Sequence, residues 1–73
     1  MNRYGIVIEG GDGEGYSAYV PDLPGCVAVG DSRDEVVQLI REAITLHIAE
    51  LRRDGLPVPR PSSDGEFIDV DAA

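Results

Sequence analysis

The chain has 73 residues, which is enough for one small domain with a small hydrophobic core. Its 14 acidic and six basic residues, all six of them Arg, give a net charge of −8. This balance disfavours binding to a nucleic-acid backbone and favours basic protein partners, while the 42% hydrophobic content argues against global disorder.

Three β-strands are predicted in the first half of the chain, at residues 3–9, 16–20 and 26–29. The alternation of apolar residues assigns Tyr4, Ile6 and Ile8 to one face of the first strand. The glycine-rich stretch at 10–15 is predicted to be a hairpin loop, and it lacks the Lys and the following helix of a phosphate-binding loop. A three-stranded meander is the simplest arrangement.

A proline-rich turn separates the second strand from the third. Pro21 cannot donate to a sheet ladder, so the second strand should end there. Pro24 and Gly25 form a typical turn dipeptide, and Asp22 is predicted to bond to the backbone of its own turn. The complete turn motif is Pro21, Asp22, Leu23, Pro24, Gly25 and Cys26.

A helix is predicted from about residue 33 to residue 54. Ser32 is a favourable N-cap, and Glu35 three residues later predicts a capping box. Gly55 supplies a left-handed stop at the C-terminal end. The apolar stripe predicted to pack on the sheet contains Val36, Ile40, Ala43, Ile44 and Leu51, with Val37 and Ile48 at its margin. Leu39 and Leu46 lie to the other side of that stripe.

A short last strand is predicted at residues 67–70 from the alternation of Phe67, Ile68, Asp69 and Val70. The predicted fold is therefore α+β, a β-β-β-α-β domain with an antiparallel sheet and one helix packed on one face. We expect a single domain over residues 1–73, with a core at about 3–70 and a C-terminal tail at 71–73.

The helix leaves one face of the predicted sheet uncovered. Val7, Tyr19 and Phe67 fall on that face, and a small domain usually buries such a surface by self-association. We therefore predict a homo-oligomer, a dimer or a larger species, that uses these three residues. The alternative is that they are scattered surface hydrophobes, which are common.

No residue pattern in the chain indicates catalysis, a cofactor or a metal site. His47 lies on the helix stripe and is interpreted as a packed, hydrogen-bonded structural residue. Cys26 has no activating partner and is interpreted as a small buried hydrophobe, and a single cysteine excludes an internal disulfide. The acids that invite a two-metal nuclease hypothesis have no supporting spacing; they are Glu9, Asp22, Asp31, Asp69 and Asp71.

The chain carries no signal-peptide pattern and no apolar run of membrane-spanning length. We therefore expect a cytoplasmic protein with no membrane contact.

The order of motifs resembles one family. Tyr16-x-Ala-x-x-Pro-Asp-Leu-Pro-Gly-Cys26, followed by Gly30-Asp31-Ser32 and a Glu-rich helix, is similar to the HicB-like antitoxin domain of toxin–antitoxin systems. The similarity runs from Tyr4 to about Ser62 and includes the stretch from Asp54 to Pro59. The resemblance implies a partial RNase H-like fold. In HicB-like sequences, an aromatic residue or His is common at the position that matches His47.

The resemblance also implies a partner. Proteins of this family bind the HicA toxin, a small basic ribonuclease, and block its active site. Many of them carry a C-terminal DNA-binding domain, whereas this sequence ends at Ala73, so direct DNA binding is not expected. The alternative hypothesis is a stand-alone oligomeric scaffold or regulator without a toxin partner.

Overall fold

Three antiparallel strands precede a single long helix in a computed structural model that describes residues 3–71. The strands are β1 (Val7–Gly11), β2 (Gly15–Tyr19) and β3 (Val27–Gly30), and the helix is α1 (Arg33–Arg53). The sheet order is β1-β2-β3, with α1 packed mainly against β3 and β2. The predicted α+β architecture, with an antiparallel sheet and one helix on one face, is confirmed.

The strand register separates the residues of the sheet into two faces. Ile8, Ala18 and Ala28 form one cross-strand row, which packs toward the helix. The buried residues of the core are Ala18, Val20, Leu23, Cys26, Val36 and Ile40. The predicted apolar stripe of α1 thus faces the sheet, and the turn after β2 contributes two of its own residues to the core.

Two consecutive tight turns place Leu23 in this core. The Leu23 N–H donates to the Val20 carbonyl at 3.1 Å, and the Cys26 N–H donates to the Leu23 carbonyl at 3.0 Å. Gly25 has a φ of +84°, which a type II turn requires at its third residue, and Pro24 occupies the second. The Pro-Gly prediction is confirmed, and the turn serves to bury Leu23 completely.

The hairpin between β1 and β2 is shorter than predicted. Gly10 pairs with Tyr16 and Gly11 pairs with Gly15, so the strands continue into the glycine-rich stretch and leave only residues 12–14 as the turn. Gly10 has a φ of +130°, and a Cβ there would lie 2.2 Å from the Gly15 carbonyl oxygen. Because the glycines carry no Cβ, β1 and β2 can stay paired as far as Gly11 and Gly15.

Both ends of α1 are capped as the sequence predicts. The Ser32 hydroxyl accepts a hydrogen bond from the Glu35 N–H at 3.1 Å, while the Glu35 carboxylate accepts from the Asp31 N–H at 2.6 Å. The return bond of the capping box thus reaches one residue further back than the usual pattern. At the other end, Gly55 has a φ of +70°, and the Leu56 N–H donates to the Leu51 carbonyl in a Schellman arrangement.

The predicted last strand is not formed. Residues 56–71 contain no strand, and Phe67 is 98% exposed. The alternation of apolar and polar residues at 67–70 reflects only a local preference for extended backbone. A strand also needs a ladder partner, and this segment forms no backbone ladder with β1. Of the predicted tail at 71–73, only Asp71 lies within the described residues. Across residues 3–71, no helix is long and apolar enough to cross a membrane.

The Ser32 cap gives a direct test of the helix start. Replacing Ser32 by Ala removes the acceptor for the Glu35 N–H, so the free energy of unfolding should fall by about 1 kcal/mol. Ser17 is an exposed serine on the uncovered face of the sheet. Ser17→Ala is therefore the matched control, and urea denaturation followed by circular dichroism should show it within about 0.5 kcal/mol of the unaltered protein. Equal unfolding midpoints for both variants would contradict the assigned cap.

Candidate interaction face and C-terminal clamp

The side chain of Asp22 ties the turn after β2 to the C-terminal segment. Its two carboxylate oxygens accept hydrogen bonds from both the N–H and the hydroxyl of Ser62 and Ser63, at 2.8–3.0 Å. The prediction that Asp22 bonds to its own turn is therefore wrong, since its carboxylate binds residues 40 positions away. A carboxylate accepts four donors at once more readily than any neutral side chain of this size.

These bonds change the acidity of Asp22. The N–H groups of Ser63 and Ser62, together with the two hydroxyls, favour the charged form and hold the pKa of Asp22 at about 2, below the ordinary 3.8. A carboxylate with such a pKa is a poor general base near neutral pH, because it releases a bound proton too readily. The interaction defines a structural role for Asp22, which we call the C-terminal clamp.

The remaining candidates for chemistry do not form a catalytic group. Cys26 is buried, and burial raises the pKa of its thiol, which is the opposite of an activated nucleophile. His47 is half-buried on α1, but its imidazole forms no hydrogen bond to another residue within 3–71, contrary to the prediction. Within that same range, no three His, Cys, Asp or Glu side chains approach closely enough to hold a metal ion.

The uncovered sheet face is the most distinctive surface of the domain. Val7, Tyr19 and Val27 form one cross-strand row, and Val29 lies in the next row beside Ser17. Tyr19 is 42% exposed, Val27 is 63% exposed and Val29 is 72% exposed. The placement of Val7 and Tyr19 on one face agrees with the pattern of the sequence. The valines of β3 were missed, although the alternation in Cys-Val-Ala-Val already places them there.

Phe67 does not belong to this face. It lines a groove with residues on the helix side of the sheet, namely Ile6, Ile8, Tyr16 and Val37. The sequence placed it with Val7 and Tyr19 because a strand at 67–70 would have alternated in that phase. We call the uncovered surface of Val7, Tyr19, Val27 and Val29 the open face.

Acidic residues border the open face at one end of the sheet. The register brings Gly10, Tyr16 and Gly30 into one row, so the β1–β2 turn and the start of α1 meet at this end. The acids there are Glu9, Asp12, Glu14, Asp31 and Asp34, and Arg33 is a basic residue among them, so the net charge of this end is negative. Asp12 also accepts a hydrogen bond from the Tyr16 hydroxyl at 3.0 Å, which raises the pKa of Tyr16. The face therefore combines apolar side chains with a negatively charged border.

The accessible features of the domain are thus an apolar sheet face and a charged border at one end of it. Residues 4–71 match the family described as the HicB_like antitoxin of bacterial toxin-antitoxin system. The chain belongs to the HicB-like antitoxin family.

Individual relatives agree with this assignment. A UPF0150 protein of Synechocystis sp. is 40% identical over 58 residues, covering 80% of this chain and 73% of that protein. A UPF0150 protein of Archaeoglobus fulgidus is 38% identical over 68 residues, covering 93% and 87%. Antitoxin HicB 2 of Photorhabdus laumondii is 31% identical over 72 residues, and the chain spans about half, 51%, of its length. No solved structure matches the chain.

The C-terminal clamp predicts a pH response. Because the folded pKa of Asp22 lies below its unfolded value, the clamp should be fully formed above about pH 4 and lost as the pH falls toward 2. In NMR titrations, the amide resonances of Ser62 and Ser63 should shift together with a midpoint near 2. Asp22→Asn should abolish this transition, whereas Asp64→Asn should leave it in place. A midpoint near 4 in the unaltered protein would mean that the clamp is not formed in solution.

Proposed function

We propose that this protein neutralises a small basic ribonuclease of the HicA type by covering its active site. The family assignment supports an antitoxin role, and the observation that carries the proposal is the open face with its acidic border. An apolar face that is bordered at one end by net negative charge is suited to a partner of opposite charge.

The acidic border and the apolar residues of the open face would contribute differently to toxin binding. The acids at the end of the sheet and the net charge of −8 would steer a basic toxin toward the domain, so added salt should slow association. Affinity would come from desolvated apolar contacts, with Tyr19 as the main anchor, because tyrosines dominate the energetics of many interfaces. Val7, Val27 and Val29 would supply the surrounding apolar area.

The same charge distribution bears on other partners and on location. A surface with 14 acidic and six basic residues repels a phosphate backbone, so we do not expect this chain to bind DNA by itself. The unpaired Cys26 suits a reducing compartment, and we place the protein and its toxin in the cytoplasm.

A stand-alone oligomeric scaffold or regulator is the second candidate function. The observation that favours it is the large share of exposed apolar residues in a domain where just six hydrophobic side chains are buried among residues 3–71. A gene for a small basic protein next to the gene for this chain would favour the antitoxin function. The absence of such a gene, together with no binding to any HicA-type protein, would favour the scaffold.

Tyr19→Asp tests the proposed interface. The change places a charge in the apolar centre of the open face, so toxin affinity should fall by about 2 kcal/mol or more, close to thirtyfold. Leu56→Asp is the matched control, because Leu56 is 53% exposed, follows the end of α1 and belongs to none of the three strands. The measurements are titration calorimetry with the purified toxin and rescue of growth when both are co-expressed. Equal affinity of the two variants would exclude the open face as the toxin site.

We also predict that the protein has no nuclease activity of its own, because its acids serve the clamp, the helix cap and the charged border. Incubation of RNA and DNA with magnesium or manganese should show no cleavage above that of a mock preparation. Cleavage that disappears in Asp22→Asn or Asp31→Asn would contradict this prediction and revive the metal-dependent nuclease hypothesis.

A further inference from the structure

The outer edge of β3 presents backbone groups without a partner in the described residues. The Val20 N–H donates to the Cys26 carbonyl at 3.2 Å, and alternate residues of an antiparallel strand bond to the same neighbour. The even-numbered residues of β3 therefore bond to β2. The N–H and C=O groups of Val27 and Val29 point away from the sheet, and no strand within residues 3–71 lies on that side.

The two edges of the sheet differ in how they are protected. The β1 side is flanked by the clamped C-terminal segment: a Cβ on Gly5 would lie 3.4 Å from the Ser63 carbonyl oxygen, and Phe67 lines the same groove as Ile8. Within residues 3–71 no backbone group bonds to the outer side of β3, and the four residues of β3 include no Lys, no Pro and no bulge. Natural proteins usually protect a free edge with one of these devices.

An apolar flank of α1 lies above this same edge. α1 has two flanks beside the stripe that packs on the sheet. The flank on the side of β1 borders a cavity with Tyr4 and Ile6, and the helix residues of that flank are Val37, Arg41, Ile44 and Thr45. At 100° per residue, Leu39 and Leu46 fall on the other flank, which the sheet order places over β3. They are 38% and 62% exposed, so an apolar strip on the helix runs beside the free strand edge.

We propose that β3 pairs with β3 of a second copy of this chain, antiparallel about a two-fold axis at Ala28. Val27 of each copy would then exchange backbone hydrogen bonds with Val29 of the other, which uses all four outward-pointing groups. The result is a six-stranded sheet with both α1 helices on one face, where Leu39 and Leu46 of each copy meet their equivalents. Such an isologous contact needs only one self-complementary patch.

The symmetry of this patch favours a second copy as its occupant. The outward-pointing groups of Val27 and Val29 lie symmetrically about Ala28, so a second β3 offers each of them a hydrogen-bond partner. Leu39 and Leu46 carry no charge, and two such apolar strips bury each other; the charged residues around them on the helix are Glu35, Glu42, Glu50 and Arg53. The patch differs from the predicted self-association face, and it leaves Val7 and Tyr19 free for a toxin.

Lysine substitutions in the patch test the proposal. Sedimentation equilibrium at micromolar concentration should show a dimer, and Val29→Lys or Leu46→Lys should each weaken it at least about tenfold. Val7→Lys on the open face and Phe67→Lys in the C-terminal segment are matched controls and should remain dimeric. All four variants reduce the net negative charge, so electrostatic repulsion cannot explain a selective loss.

A cross-link tests the register and decides the outcome if a lysine variant fails to fold. Opposite residues at the axis are a non-hydrogen-bonded pair with Cα atoms about 4.5 Å apart, which a disulfide can span. Ala28→Cys should therefore form a covalent dimer under mild oxidation, whereas Ser17→Cys on the central strand should not. A monomeric unaltered protein, or a dimer that only Val7→Lys weakens, would overturn the proposal. Since no toxin is present, the result is independent of the proposed function.

Discussion

A single helix can cover only one face of a three-stranded sheet, and this constraint determines which surfaces the domain has available. α1 buries the row of Ile8, Ala18 and Ala28, together with the side chains that the turn after β2 directs inward. The opposite face keeps Tyr19 and two valines exposed to solvent. The fold thus divides its apolar residues into a core and an external surface, and the external surface is what a partner can bind.

The turn after β2 connects the core to the rest of the chain. Two consecutive tight turns bury Leu23, and the carboxylate of the neighbouring Asp22 accepts hydrogen bonds from Ser62 and Ser63 at the surface. One short motif therefore contributes an apolar anchor to the core and a charged anchor to the surface. This double role gives the Pro-Asp-Leu-Pro-Gly-Cys motif a physical basis, because each position serves a turn, the core or the clamp.

The chemistry of the side chains fits a binding protein. A carboxylate saturated by four donors and a thiol whose pKa is raised by burial are both held in unreactive states. The acids at the end of the sheet act through their summed field, which attracts positive charge over a distance set by the ionic strength.

Features that depend on local chemistry could be predicted from the amino-acid sequence. Ser32 and Gly55 mark the ends of α1 because capping involves residues close together in the chain, and period-two alternation placed Val7 and Tyr19 on one face. Features that depend on distant partners became visible only in the folded domain. Asp22 binds Ser62 and Ser63, residues 67–70 have no ladder partner, and Phe67 lines a groove with Ile6 and Ile8. No local pattern encodes a contact across 40 residues, since its geometry is fixed only when the sheet and the helix have packed.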